Sequence, residues 1–141
     1  MHVLLHAVSD FAKEFTKKLP TENTEKAYVV GLVGDLGAGK TTFVQALAKE
    51  LGATESVTSP TFVLVQRYAI HHPVFSSLVH IDAYRLHPEE VHTIGWDEYP
   101  ADPKNLVLVE WPEKMEDMFP GDAPKLIFSV VDEETRAITY A

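Results

Sequence analysis

A chain of 141 residues, 45% hydrophobic and 23% charged, has the size and make-up of one compact domain. It contains no cysteine, which excludes disulfides, a thiol nucleophile and any Cys-ligated zinc or iron–sulfur site. Twelve basic residues against twenty-one acidic give a net charge of −9. That balance argues against a basic stripe gripping nucleic-acid backbones, but leaves room for a single nucleotide held in a local nest of amides.

In chain order, residues Met1 to Val8 lack the basic segment and long apolar run of a targeting peptide. The longest nearly apolar stretch, Ala27 to Gly34, is eight residues, less than half a membrane span. The chain therefore reads as cytoplasmic. Ser9-Asp10 is expected to cap a first helix with Phe11, Phe15 and Leu19 on its apolar face, ended by Pro20. After a polar loop to Lys26, Tyr28–Val33 predicts a strand buried on both faces. A helix over Lys40–Leu51 follows, with Val44, Leu47, Ala48 and Leu51 inward and Gly52 as its stop. Thr61–Ile70 and Val74–Asp82 read as a hairpin turning at His71-His72-Pro73. Pro88-Glu89-Glu90 opens a short helix ending near Gly95, and Leu106–Val109 is another buried strand. Pro112–Met118 predicts a short helix closed by Pro120-Gly121. Lys125–Val131 and Ala137–Tyr140 predict a final hairpin around Asp132–Arg136.

Between the first buried strand and its helix, Gly34-Asp35-Leu36-Gly37-Ala38-Gly39-Lys40-Thr41 fits the G-x-x-x-x-G-K-[ST] pattern in full. Gly34, Gly37 and Gly39 allow positive φ and a close backbone approach to phosphate oxygens. Successive amides, Ala38 included, then form an anion nest at the positive end of the Lys40 helix. Lys40 adds a charge for the β- and γ-phosphates, the Thr41 hydroxyl can ligate Mg²⁺, and Thr42 is placed to reach the α-phosphate. The expected fold is α/β: a P-loop NTPase-like three-layer sandwich over residues 1–141, with a mixed, partly antiparallel central sheet.

Ligands of open α/β sheets bind beyond the carboxyl ends of the strands. Two predicted strands end there in acids, Asp82 and Glu110. One acid would hold Mg²⁺ and the other orient the attacking water, and the sequence leaves the order open. Thr58-Ser59-Pro60-Thr61-Phe62 follows the P-loop helix, where Thr61 is a candidate γ-phosphate sensor. The three arginines are Arg67, Arg85 and Arg136. Arg85 either lies near the site or pairs with a neighbouring acid. The seven histidines suggest no metal set, and His80 reads as a core hydrogen-bonding residue. Trp96 and Trp111 read as core or interface anchors.

Taken together these motifs resemble the TsaE (YjeE) family of small P-loop ATPases, required in bacteria for threonylcarbamoyl modification of adenosine next to the anticodon of ANN-decoding tRNAs. The resemblance rests on Gly34 to Thr42, Ser59-Pro60-Thr61, His80-x-Asp82-x-Tyr84-Arg85-Leu86, Pro88-Glu89-Glu90 with Gly95 and Tyr99, and Val109-Glu110-Trp111-Pro112. It implies that Gly37 to Thr42 hold the ATP phosphates, that Thr41 and Glu110 hold Mg²⁺, and that Asp82 matters for nucleotide chemistry. It also sets Trp111 beside the nucleotide and makes Arg136 a candidate for the adenine. The implied partners are TsaD- and TsaB-type proteins, with tRNA met only through them, and that agrees with an acidic chain. Turnover is expected to be slow in isolation, because no glutamine or arginine finger is evident near the P-loop. Two other readings compete. A small-molecule kinase usually clamps its phosphoryl group with several arginines, and a nucleotide-dependent binding module would use the same site without hydrolysis. A GTPase is disfavoured by the lack of an Asn-Lys-x-Asp element.

Overall fold

A computed structural model of the chain describes residues 2–4, 7–54, 56–58 and 65–141. Its centre is an eight-stranded sheet in the order β1-β8-β7-β2-β6-β5-β4-β3. The strands are β1 (His2–Leu4), β2 (Tyr28–Val33), β3 (Ser56–Thr58), β4 (Val65–Ala69), β5 (Ser77–Asp82), β6 (Asn105–Glu110), β7 (Lys125–Val130) and β8 (Thr135–Tyr140). Strands β7, β2, β6 and β5 run parallel, while β4 with β3 on one flank and β8 with β1 on the other pair antiparallel. The mixed sheet expected from the sequence is present, with its parallel part in the middle.

The two middle strands are apolar between their ends because they are covered on both faces. Val30, Leu32, Leu106 and Leu108 pack with α1 (Val8–Thr16) and α2 (Lys40–Glu50), while Val29, Val107 and Val109 pack with the opposite layer. That second layer is built on two 3-10 segments, Pro88–Ile94 and Pro112–Met118. Three layers result. On the helical side, Phe43 of α2 lies 5.6 Å from Phe11, 5.4 Å from Phe15 and 5.7 Å from Phe128, measured between ring centroids. This aromatic knot fixes both helices to the sheet beside the P-loop.

Several local expectations shift. The first helix starts after Ala7, with no side-chain cap, and ends at Thr16 rather than at Pro20. Leu19 is nonetheless buried, because the amides of Lys17, Lys18 and Leu19 bond three residues back and carry the turn on. The helix after the P-loop ends as expected. Gly52 takes φ +81° while its amide and that of Ala53 bond the carbonyls of Lys49 and Ala48, a Schellman closure. Both short proline-led helices are 3-10 rather than α, and the second is kinked at Glu116. The hairpin partner of Val74–Asp82 is described from Val65 onward, and residues 61–64 lie outside the described residues. The two edge strands β1 and β3, three residues each, were not expected from the sequence.

Candidate functional site

Register decides where the site lies. Glu110, the last residue of β6, is paired with Leu32 on one side and with Asp82 on the other. The carboxyl ends of β2, β6 and β5 therefore form one ledge, and the loop from Gly34 to Gly39 rises from it into α2. Gly34, Gly37 and Gly39 have φ of +150°, +81° and +103°, the left-handed values for which glycine was expected there. A Cβ on Gly34 would stand 2.4 Å from the Phe128 carbonyl oxygen, whereas one on Gly37 would meet nothing within 4 Å. The loop is thus tight against the sheet at its start and open at its crest.

Thr41, in the first turn of α2, faces the ledge. Its hydroxyl donates to Glu110, at 3.0 Å from Oε2 and 3.3 Å from Oε1. Glu110 is only 3% exposed. Burial alone would raise its pKa, but hydrogen bonds from His80 and Thr41 and the nearby Lys40 charge outweigh it and hold the carboxyl below its ordinary value. His80 supplies the shortest of these bonds, with Nε2 2.5 Å from Glu110 Oε2. Asp82 is half-buried at the next strand tip, and its Oδ1 accepts the amide of Tyr84 at 3.1 Å.

Lys40 is 4% exposed, and its Nζ lies 3.7 Å from the centroid of the Trp111 ring while donating to the Gly34 carbonyl. Burial lowers its pKa, and Glu110, Glu113, Asp82 and Asp35 pull it back up. Trp111 holds this place by leaving β6 in the left-handed region, at φ +60° and ψ +51°, with its amide on the Leu32 carbonyl at 3.2 Å. Tyr84 packs edge-on against it at 4.9 Å. From the opposite flank Arg136 Nη2 reaches the Gly37 carbonyl at 3.3 Å, and Nη1 bonds the carbonyls of Asp132, Glu133 and Thr135.

The structure brings together the loop residues Gly34 to Thr42 with Asp82 and Glu110; Thr61 lies outside the described residues. Trp111 covers Lys40 rather than serving only as a core anchor. Arg85 is exposed, with no ion pair among the described residues. His80 does make the expected core hydrogen bond, but its acceptor is a site residue. The two-residue period of a strand places His80 on the face of Asp82, but its acceptor on the neighbouring strand is not legible from spacing. The donor set is a hydroxyl and carboxylates, hard oxygen ligands that suit Mg²⁺. Among the described residues no three His, Cys, Asp or Glu cluster to hold a metal. A cation here would thus draw on Thr41 and Glu110 and on the phosphates of a bound nucleotide.

Comparison with known proteins gives the family of the chain. The family model for "Threonylcarbamoyl adenosine biosynthesis protein TsaE" matches residues 5–138. The chain belongs to the TsaE family. The tRNA threonylcarbamoyladenosine biosynthesis protein TsaE of Bacillus subtilis is 35% identical over 123 residues, covering 87% of this chain and 75% of that one. Its namesake in Haemophilus influenzae is 40% identical over 111 residues, covering 78% and 68%. The crystal structure of Bacillus subtilis YdiB superposes with a TM-score of 0.71 at 28% identity, over 99% of this chain and 82% of that chain. The mixed α/β architecture of the TsaE chain thus has an experimental counterpart. No helix among its described residues is long and apolar enough to cross a membrane.

Proposed function

We propose that this TsaE-family chain is a single P-loop ATPase domain, residues 1–141, that binds ATP with Mg²⁺ and serves the cytoplasmic machinery forming N6-threonylcarbamoyladenosine at position 37 of ANN-decoding tRNAs. The observation that carries the reading is the contact between Thr41, at the mouth of the P-loop helix, and Glu110, at the tip of the adjacent strand. A hydroxyl and a buried carboxylate meeting beside a phosphate loop make up the protein's half of a magnesium–nucleotide site.

In this reading the amides from Gly37 to Thr42 and the Lys40 ammonium bind the phosphates, and Lys40 leaves the Gly34 carbonyl to do so. Thr41 and Glu110 would hold Mg²⁺, which when bound would neutralise phosphate charge. Asp82, on the same ledge, would accept a hydrogen bond from the attacking water and so orient it. Slow turnover in isolation is supported by where the arginines lie. Arg136 is committed to main-chain carbonyls, and the Arg67 guanidinium lies 5.9 Å from the Tyr99 ring centroid. That leaves the exposed Arg85 as the one arginine not so engaged, too few for the several-arginine clamp of a kinase. The partners are TsaD- and TsaB-type proteins. They, not this acidic chain, would meet the tRNA.

The test replaces the resident TsaE of a bacterium with this chain and measures threonylcarbamoyladenosine in digested tRNA by mass spectrometry. The wild-type chain should sustain the modification and Lys40→Ala should abolish it. Normal levels with Lys40→Ala would reject the reading.

A further inference from the structure

One buried group in the site has no role in that reading. His80 is 7% exposed on β5. Its register partner on β6 is Leu108, and Glu110 is the diagonal neighbour two residues on, within reach of a long side chain on the same face. The imidazole crosses that diagonal, so that Nε2 lies 2.5 Å from Glu110 Oε2. The same oxygen accepts the Thr41 hydroxyl at 3.0 Å, while Oε1 has only the longer 3.3 Å contact. A carboxylate that takes a cation is ionised and can only accept, so in the role given to Glu110 above the donor of this bond is His80 Nε2.

We propose that His80 is a positioning residue for Glu110: its Nε2–H pins Oε2 to the protein and leaves Oε1, next to the Thr41 hydroxyl, as the oxygen offered to a divalent cation. The physical need is clear from the burial. At 3% exposure each Glu110 oxygen needs a protein donor or a ligand, because water is not there to supply one. One fixed donor at the back selects the orientation before any ligand arrives. Partners of this kind, one bond removed from the metal, typically change metal affinity by about 10–100-fold when they are removed. The inference rests on the assignment of Glu110 to the cation in the functional reading above.

The experiment uses the full chain with ADP and Mn²⁺ as the probe. ADP affinity in EDTA is measured by calorimetry, and Mn²⁺ affinity of the ADP complex by electron paramagnetic resonance. His80→Leu should leave ADP affinity in EDTA unchanged within about twofold and weaken Mn²⁺ by about tenfold or more, whereas His80→Gln, which keeps a donor, should stay within about threefold of wild type. Wild-type Mn²⁺ affinity in His80→Leu overturns the inference, and so does an equal loss of ADP and Mn²⁺, the sign of mere structural damage. If the wild-type chain itself binds no ADP, the functional reading falls and takes the inference with it. If it binds both ligands and only the His80 variants disagree, the inference alone falls. Should His80→Leu fail to fold, the wild-type protein still decides: its His80 Nε2 proton should remain visible by nuclear magnetic resonance after ADP and Mg²⁺ are added. Loss of that signal on loading would contradict a pinning role.

Discussion

At the scale of single residues, the P-loop glycines differ in what they protect. Gly34→Ala would drive a Cβ to 2.4 Å from the Phe128 carbonyl at φ +150°, and should lower stability by about 2 kcal/mol or more. Gly37→Ala meets open space at φ +81° and should cost about 1 kcal/mol. Urea unfolding separates the two, and equal losses would mean that the loop shifts freely on the sheet. Glu110 provides a pH prediction. Its folded pKa lies below the unfolded value, so the unfolded chain binds more protons between the two, and stability falls as pH drops through that window. The wild-type protein should therefore lose stability on acidification below the ordinary carboxylate pKa, and Glu110→Gln should lose less. Parallel pH profiles for the two proteins would contradict the assignment. Sequence made the identities of these residues legible because phosphate binding demands glycine, lysine and threonine at fixed spacing. The His80 bond and the Trp111 cap on Lys40 were hidden, because both depend on cross-strand geometry and on one left-handed residue rather than on spacing.

At the scale of elements, the buried parallel strands and α2 were legible for a physical reason. Tyr28–Val33 and Leu106–Val109 are apolar on both faces, and α2 carries an inward stripe closed by Gly52. The edge strands β1 and β3 are three residues each, too short to show any period. Pro88–Ile94 and Pro112–Met118 open with proline and look helical, yet each buries only a few side chains, and they settle as 3-10 segments. The Ser9-Asp10 cap failed because α1 already begins at Val8, buried against the core, so both residues lie inside its first turn. The element on which the site most depends is α2, held by Phe43 among Phe11, Phe15 and Phe128. Phe43→Ala should destabilise the fold by about 3–5 kcal/mol, measured by urea unfolding. A loss under about 1 kcal/mol would show that the knot is not what seats the helix.

At the scale of the molecule, the sheet order brings three strand ends to one ledge, and the loop from Gly34 to Gly39 rises beside it. Arg136 extends this from the far flank: it sits on β8, five strands from β4, yet bonds the Gly37 carbonyl and so joins the C-terminal hairpin to the loop crest. The net charge of −9 leaves the ledge as a local exception, where the buried Lys40 and the loop amides offset an acidic surface. In the function proposed above, this ledge and loop grip the triphosphate of ATP together with magnesium. Calorimetric titration of the full chain with Mg-ATP is the decisive measurement. Binding should be saturable and one-to-one, and Lys40→Ala should remove it. Absence of binding by the wild-type chain at millimolar Mg-ATP, or equal affinity in Lys40→Ala, would contradict it.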